Sequence, residues 1–329
     1  MDTTLQAQIQ DYITDPHIDR GTKEFLKVIN VDGPPLETLS KEDARNVLVG
    51  AQASVKVDMS GIEESEKIIH NEGHTIKLNL VRPQGASGKL PAFIYIHGGG
   101  WILGDYPTHK RMVRDLVVLS GCAAVFVNYT PSPEVQFPVA INEIYTATRW
   151  VAEHGDEINV DGKNLAVAGN SVGGNMATVI ALMAKEKGGP KIKFQLLLWP
   201  VTDASFSQES YQTYGAQRFL TTSIMNWMWD QYTTHTKERD SIYASPLQAS
   251  VDQLEGLPPA LIQVAENDIL RDEGEAYGRK LGEAGVNVTT IRYNGMIHDF
   301  GLLNALAELP TTRSMFEHAA AELRKYLMQ

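Results

Sequence analysis

The sequence predicts an α/β protein built on a mostly parallel central sheet with helices on both faces. Two observations carry that prediction. Short apolar runs alternate with amphipathic runs through most of the chain, the pattern of strands joined by crossover helices. The runs also lack the in–out alternation of a half-solvated strand; Pro91 to Ile96, Cys122 to Val127 and Ala260 to Ala265 are almost continuously apolar, as strands covered on both sides are.

Composition narrows the function classes. The 329 residues carry 29 basic and 40 acidic side chains, a formal charge of -11, which opposes association with phosphate backbones or anionic membranes. Nucleic acid is therefore not an expected partner. Cys122 is the one cysteine; it excludes an intrachain disulfide and a cysteine metal cluster, and its apolar surroundings predict a buried thiol. The segment Met1 to Gln6 has no basic region followed by an apolar one, and no apolar window is long enough to span a bilayer. The expectation is a cytoplasmic protein with no integral membrane association.

Residues 1 to about 65 show helical spacing at Leu5, Ile9 and Tyr12-Ile13, and again at Phe25, Leu26, Val28 and Ile29. Ser40 precedes Lys41-Glu42-Asp43 as an N-cap should. From Glu66 the period becomes two, and Asn71-Glu72-Gly73 separates the halves of a predicted hairpin. Strands at 91–96, 122–127, 165–168, 194–198, 260–265 and 287–293 follow, with helices at 111–118, 141–154, after 171, at 273–284 and 311–327. Between Pro200 and Tyr243 the alternation stops; Phe206, Tyr211, Tyr214, Phe219, Trp227, Trp229 and Tyr232 crowd a segment that reads as a helical insertion. Its aromatics suit core packing and ligand contact equally.

Chemistry concentrates in three places. Gly169-Asn170-Ser171-Val172-Gly173 joins a buried strand to a helix, and in so tight a turn the central serine is pushed out as a nucleophile elbow would place it, although an ordinary Gly/Ser turn has the same pattern. His97-Gly98-Gly99-Gly100-Trp101 follows another strand. It lacks the endings of a phosphate-binding loop, so its glycines suit backbone N–H groups aimed at a developing oxyanion; His97 suits loop-pinning better than base catalysis. Further on, Asp268 and His298 fall after successive strands, on the sheet edge where Ser171 would stand, in the order Ser, acid, His. Glu266 is the reserve acid. Asp272, Glu273 and Glu275 read as the acidic first turn of a helix, and Asp299 as solvated or loop-pinning. The nine histidines show no metal-ligand spacing, so neither metal nor cofactor is expected.

With HGGGW at 97–101, GNSVGGN at 169–175, Asn128-Tyr129 to Pro138, Trp199-Pro200 and the Asp268 and His298 loops, the chain resembles the bacterial hormone-sensitive-lipase-like esterases, family IV carboxylesterases of the α/β-hydrolase superfamily. The resemblance covers roughly residues 20 to 325. It implies a serine carboxylesterase for short acyl esters, with Ser171 as nucleophile, His298 as base and Asp268 as its orienting acid. Gly98, Gly99, Gly100 and Val172 would form the oxyanion hole, and Trp101, Asn170, Phe206 and Trp227 would contact a small ester. It also implies a helical cap from 1–65 plus 201–243 over a catalytic domain from 66–200 plus 244–329. The family usually has Asp or Thr at the position of Asn170, Ala at Val172, an arginine after Tyr129 and a glycine at Asp299. Amide hydrolysis by the same triad, as in arylformamidases or acylamidases, is the alternative enzyme; a receptor lacking catalysis and an interfacial lipase are the others. A homodimer is left open.

Overall fold

The computed structural model describes residues 11–31 and 33–328. Helices α1 (Arg20–Ile29) and α2 (Lys41–Ala53) come first. Asp19 caps α1 by accepting from the N–H groups of Gly21 and Thr22, and Ser40 caps α2 by accepting from Asp43, each satisfying donors that have no partner inside the helix. Leu5 and Ile9 lie outside the described residues. Tyr12-Ile13 is a turn and not the expected helix: Asp11 accepts from the N–H of Ile13, and Pro16 bars its predecessor from helical geometry.

Strands β1 (Ile62–Asn71) and β2 (His74–Pro83) form the predicted antiparallel hairpin. Glu72 and Gly73 both take positive φ, 50° and 81°, the turn geometry whose twist suits a two-residue hairpin. The alternation then runs β3 (Leu90–Ile96), α3 (Tyr106–Ser120), β4 (Ala123–Asn128), α4 (Val139–His154), β5 (Val160–Asn170), α5 (Val172–Glu186) and β6 (Ile192–Leu198). After the insertion, which contains α6 (Glu209–Tyr214) and α7 (Thr222–Tyr232), come α8 (Val251–Leu254), β7 (Ala260–Asn267), α9 (Arg271–Glu283), β8 (Val288–Ile297) and α10 (Pro310–Leu327). The eight strands form one sheet in the order β1-β2-β4-β3-β5-β6-β7-β8, parallel from β4 to β8.

Each face of the sheet has its own core. Ile94, Val125, Val167 and Ile262 pack on one side with residues of α4, α5 and α9, while Phe93, Phe126, Ala166, Leu196 and Leu261 pack on the other with α3 and α10. Cys122 is buried in the second. No helix among the described residues is long and apolar enough to cross a membrane.

Helix α2 is fastened to α3 and to the segment after β8. At the end of α2 the buried Gln52 side chain donates to the carbonyls of Thr108 (2.6 Å) and Leu302 (3.0 Å) and accepts from the N–H of Asn304 (2.9 Å). Buried polar groups that lose such a partner cost about 1–3 kcal/mol each. Gln52→Ala should therefore lower unfolding free energy by roughly 3 kcal/mol in urea titrations, whereas Val49→Ala, on the exposed side of α2, should stay within about 0.5 kcal/mol.

Candidate active site

Ser171 stands between β5 and α5 at φ 55° and ψ -123°, a strained conformation that a non-glycine residue holds only when its surroundings impose it. A Cβ on Gly173 would run into the carbonyl of Ile96, and one on Gly169 into the carbonyl of Gly173. Strand β3, strand β5 and helix α5 thus meet backbone to backbone, and the serine is the residue left facing outward.

Asp268 follows β7 directly and His298 follows β8 directly, so all three side chains rise from the carboxyl edge of the parallel sheet. The Ser171 hydroxyl lies 3.0 Å from His298 Nε2, and His298 Nδ1 lies 2.7 Å from Asp268 Oδ2. The other Asp268 oxygen accepts from the N–H of Leu270 at 3.0 Å. All three residues are at most 4% exposed. Burial alone would push the His298 imidazole down; the charges of Asp268 and Asp299 and the hydrogen bond to Asp268 outweigh it and hold the group above the ordinary histidine value.

The glycine loop divides its labour. Contrary to the sequence reading, Gly98 is not a free donor, since its N–H is already given to Asn170 Oδ1 at 3.0 Å. Gly99 and Gly100, at φ 104° and 63°, turn the chain so that both border the pocket with Ser171. Val172 opens α5, so its N–H has no partner within the helix. His97 pins the loop as expected: burial holds it neutral, down to about 4, Nδ1 lies 2.8 Å from the carbonyl of Gly98, and the ring stacks on Tyr129 at 4.2 Å.

Asn170 is not a substrate contact. It is wholly buried under the loop, where Oδ1 accepts from Tyr95 as well as Gly98, and Nδ2 donates to Asp299 Oδ1 at 3.0 Å. Trp199 Nε1 donates to the same oxygen at 2.7 Å. Asp299 is accordingly buried and not solvated. It takes φ 58°, a left-handed conformation that aspartate tolerates better than most residues, and its Oδ2 lies 3.8 Å from His298 Nε2. Two positions that depart from the family pattern are thus bonded to each other, with the amide at 170 and the carboxylate at 299.

The pocket over Ser171 has a free volume of about 90 Å³ and is largely apolar. Trp101, Phe206 and Trp227 do not line it. Trp101 is buried behind the loop, stacked on Tyr232 at 4.1 Å, while Phe206 and Trp227 pack against the core. Leu220, Ile224 and Met228 from the insertion line it instead, with Phe219 and, from the amino-terminal segment, Leu36, Val47 and Leu48. Leu220, Ile224 and Met228 recur at a spacing of four along α7 and its approach, which sets them on one face, whereas Trp227 packs against the core and is not among the lining residues. Among the acids, Glu266 accepts from the N–H of Gly295 (2.7 Å) and so holds a loop. Glu273 is fully buried and accepts from the insertion, so it is more than a helix-dipole residue. A larger open cleft bearing Arg149, Lys163, Lys187 and Lys193 shares no residue with this site. Among the described residues no three His, Cys, Asp or Glu side chains gather as metal ligands would.

A family profile described as alpha/beta hydrolase fold matches residues 93–302. The crystal structure of a thermostable esterase from Pseudomonas putida ECU1011 is 61% identical, with a TM-score of 0.94 over 95% of this chain and 98% of that one. A fungal esterase structure from Rhizomucor miehei is 38% identical, with a TM-score of 0.89 over 94% and 96% of the two chains. An ethyl acetate hydrolase of Pseudomonas putida is 33% identical over 83% of this chain and 87% of its own length.

The Asn170–Asp299 pair makes a reciprocal prediction. Asn170→Asp alone would set two carboxylates against each other in a buried place and should cost about 2–4 kcal/mol. Adding Asp299→Asn restores a donor opposite an acceptor, and most of that loss should return in a double-mutant cycle followed by urea unfolding.

Proposed function

The chain belongs to the hormone-sensitive-lipase-like esterases of the α/β-hydrolase superfamily and is a carboxylic ester hydrolase, and we propose that it cleaves small, short-chain acyl esters through an acyl-enzyme on Ser171. The observation that carries this reading is the unbroken chain of hydrogen bonds from Ser171 through His298 to Asp268. As the Ser171 oxygen attacks the ester carbonyl, His298 Nε2 takes its proton, and Asp268 at Nδ1 balances the imidazolium. The N–H groups of Gly99, Gly100 and Val172 receive the carbonyl oxygen as it becomes negative. The carbon–oxygen bond to the alcohol then breaks, and Nε2 returns the proton to the leaving oxygen. Water repeats the sequence, freeing the acid and the serine.

The helices of 1–65 and 201–243 act as a cap in this proposal, supported by their apolar side chains over Ser171. The small, largely apolar space over Ser171 supports a short acyl group, acetyl to butyryl. The reading includes a cytoplasmic setting, which suits a lone, buried Cys122.

Ser171→Ala should lower kcat on p-nitrophenyl acetate by at least about 10⁴-fold with the fold intact by circular dichroism; near-normal turnover would sink the assignment. Rates should also fall steeply from butyrate to dodecanoate esters, and a matched amide should react far more slowly than its ester. For pH, the reactive form has neutral His298, so activity rises as the imidazole loses its proton. Because that group is held above its ordinary value, the acidic limb of kcat/KM should lie above about pH 6.5. Asp299→Asn removes a charge that favours the imidazolium and should move the limb to lower pH.

A further inference from the structure

The segment that carries the acid of the triad, residues 268–273, is joined by hydrogen bonds to the stem of the insertion. Ser210 Oγ donates to the carbonyl of Ile269, and the N–H of Ser210 donates to Asp272 Oδ2 at 2.8 Å. Thr202 Oγ1 donates to the carbonyl of Glu273 at 2.9 Å. The centre of the joint is the Glu273 carboxyl. Its Oε1 accepts from the N–H groups of Thr202 (2.7 Å) and Asp203 (3.3 Å), and its Oε2 accepts from the Tyr211 hydroxyl (3.0 Å). Glu273 and Tyr211 are both buried, so water cannot replace these partners without opening the fold.

The stem is held from the other side as well. Asn175, on the helix that begins at the nucleophile, donates through Nδ2 to the carbonyls of Val201 (3.0 Å) and Ala244 (2.8 Å), the two ends of the insertion. The N–H of Val201 donates to the carbonyl of Ser171 at 3.2 Å. Residues 201–203 are therefore clasped between the nucleophile turn and the acid segment.

We propose that Glu273 is a positioning residue for the acid–base pair: by binding residues 202, 203 and 211 it sets where Asp268 stands, so the Asp268–His298 bond depends on a seated insertion. The proposal rests on the serine-esterase reading given above, yet its geometry can be read apart from turnover. Placed as it is, Glu273 touches neither substrate nor reacting atoms. Its effect reaches the chemistry through one turn of chain, in which Asp268 accepts from the N–H of Leu270, its carbonyl accepts from Arg271, and Leu270 accepts from Gly274. Burial raises the Glu273 carboxyl against the hydrogen bonds that favour its charged form; glutamine has the same shape and keeps an oxygen to accept from the N–H groups of Thr202 and Asp203.

The test compares Glu273→Ala and Glu273→Gln in the full chain. The first readout is the far-downfield proton resonance of His298 Nδ1, which reports the Asp268 bond without any substrate. The second is kcat and KM on p-nitrophenyl acetate across pH. Expected for Glu273→Ala are a broadened or lost resonance, a kcat at least 10-fold lower with KM changed less than 3-fold, and an acidic limb moved to lower pH as Asp268 loses its hold. Glu273→Gln should restore all three. A sharp wild-type resonance and unchanged kcat in Glu273→Ala would overturn the proposal, as would a defect that glutamine does not rescue. If Glu273→Ala does not fold, the double variant Ser210→Ala/Tyr211→Phe loosens the same joint with Glu273 in place; a broadened resonance supports the proposal and an unaltered one overturns it. Wild-type protein that shows the resonance but hydrolyses no ester would sink the esterase reading while leaving the positioning role standing.

Discussion

The backbone contact between the carboxyl end of β3 and the turn after β5 is the constraint on which the rest depends. It exists because Gly173 lets a helix start against the carbonyl of Ile96 and Gly169 lets the turn close on Gly173. Neighbouring parallel strands then bring the glycine loop and Ser171 together without further design, because β3 and β5 pair directly up to Ile96 and Gly169. The same parallel order carries β7 and β8 to the same edge. Distance in sequence between Ser171, Asp268 and His298 is thereby removed by topology, and side-chain hydrogen bonds only set the last ångström.

Electrostatics in the site follow from burial. With the serine, histidine and acid all nearly excluded from water, each carboxylate near His298 weighs more than it would at the surface. Asp268 is the partner that directs the ring through Nδ1. Asp299 faces Nε2 from 3.8 Å and gives its other oxygen to Asn170 and Trp199. A second aspartate at 170 would crowd like charges around one imidazole; asparagine keeps the hydrogen bonds and omits the charge. The two unusual positions thus share one hydrogen bond, with the charge carried by the loop and not by the elbow.

Much of this was legible in the sequence, for reasons that differ by element. Fully buried strands announce themselves by unbroken apolar runs, and the sheet follows from their alternation with helices; the Ser, acid, His order survives because each residue sits next to a strand end. Asn170 and Asp299 were visible as departures but not as partners, since nothing local says that residues 129 apart share a hydrogen bond. Tyr12-Ile13 misled because apolar spacing is blind to Pro16 and to the turn that Asp11 closes. The aromatic residues misled for another reason: Trp101, beside the glycine loop, is buried in the core, and Phe206 and Trp227 of the insertion are partly buried against that core.

What the pocket needs from the insertion is a smooth apolar wall, and aliphatic side chains and methionine supply it better than indoles whose N–H groups seek partners. Met228 shows why this wall cannot be read without the loop beneath it. Its side chain fills the space where a Cβ on Gly100 would stand, so the third glycine of the loop is required by the insertion packed above it. A glycine that appears to serve chemistry therefore also admits the residue that closes the pocket over it. The stem of the same insertion reaches the acid segment through Glu273, so one inserted segment touches both the carbonyl end and the acid end of the site. Substrate fit and triad geometry are on this account set together, and a change in the wall that displaced its stem would be felt at Asp268 before it was felt at the sheet.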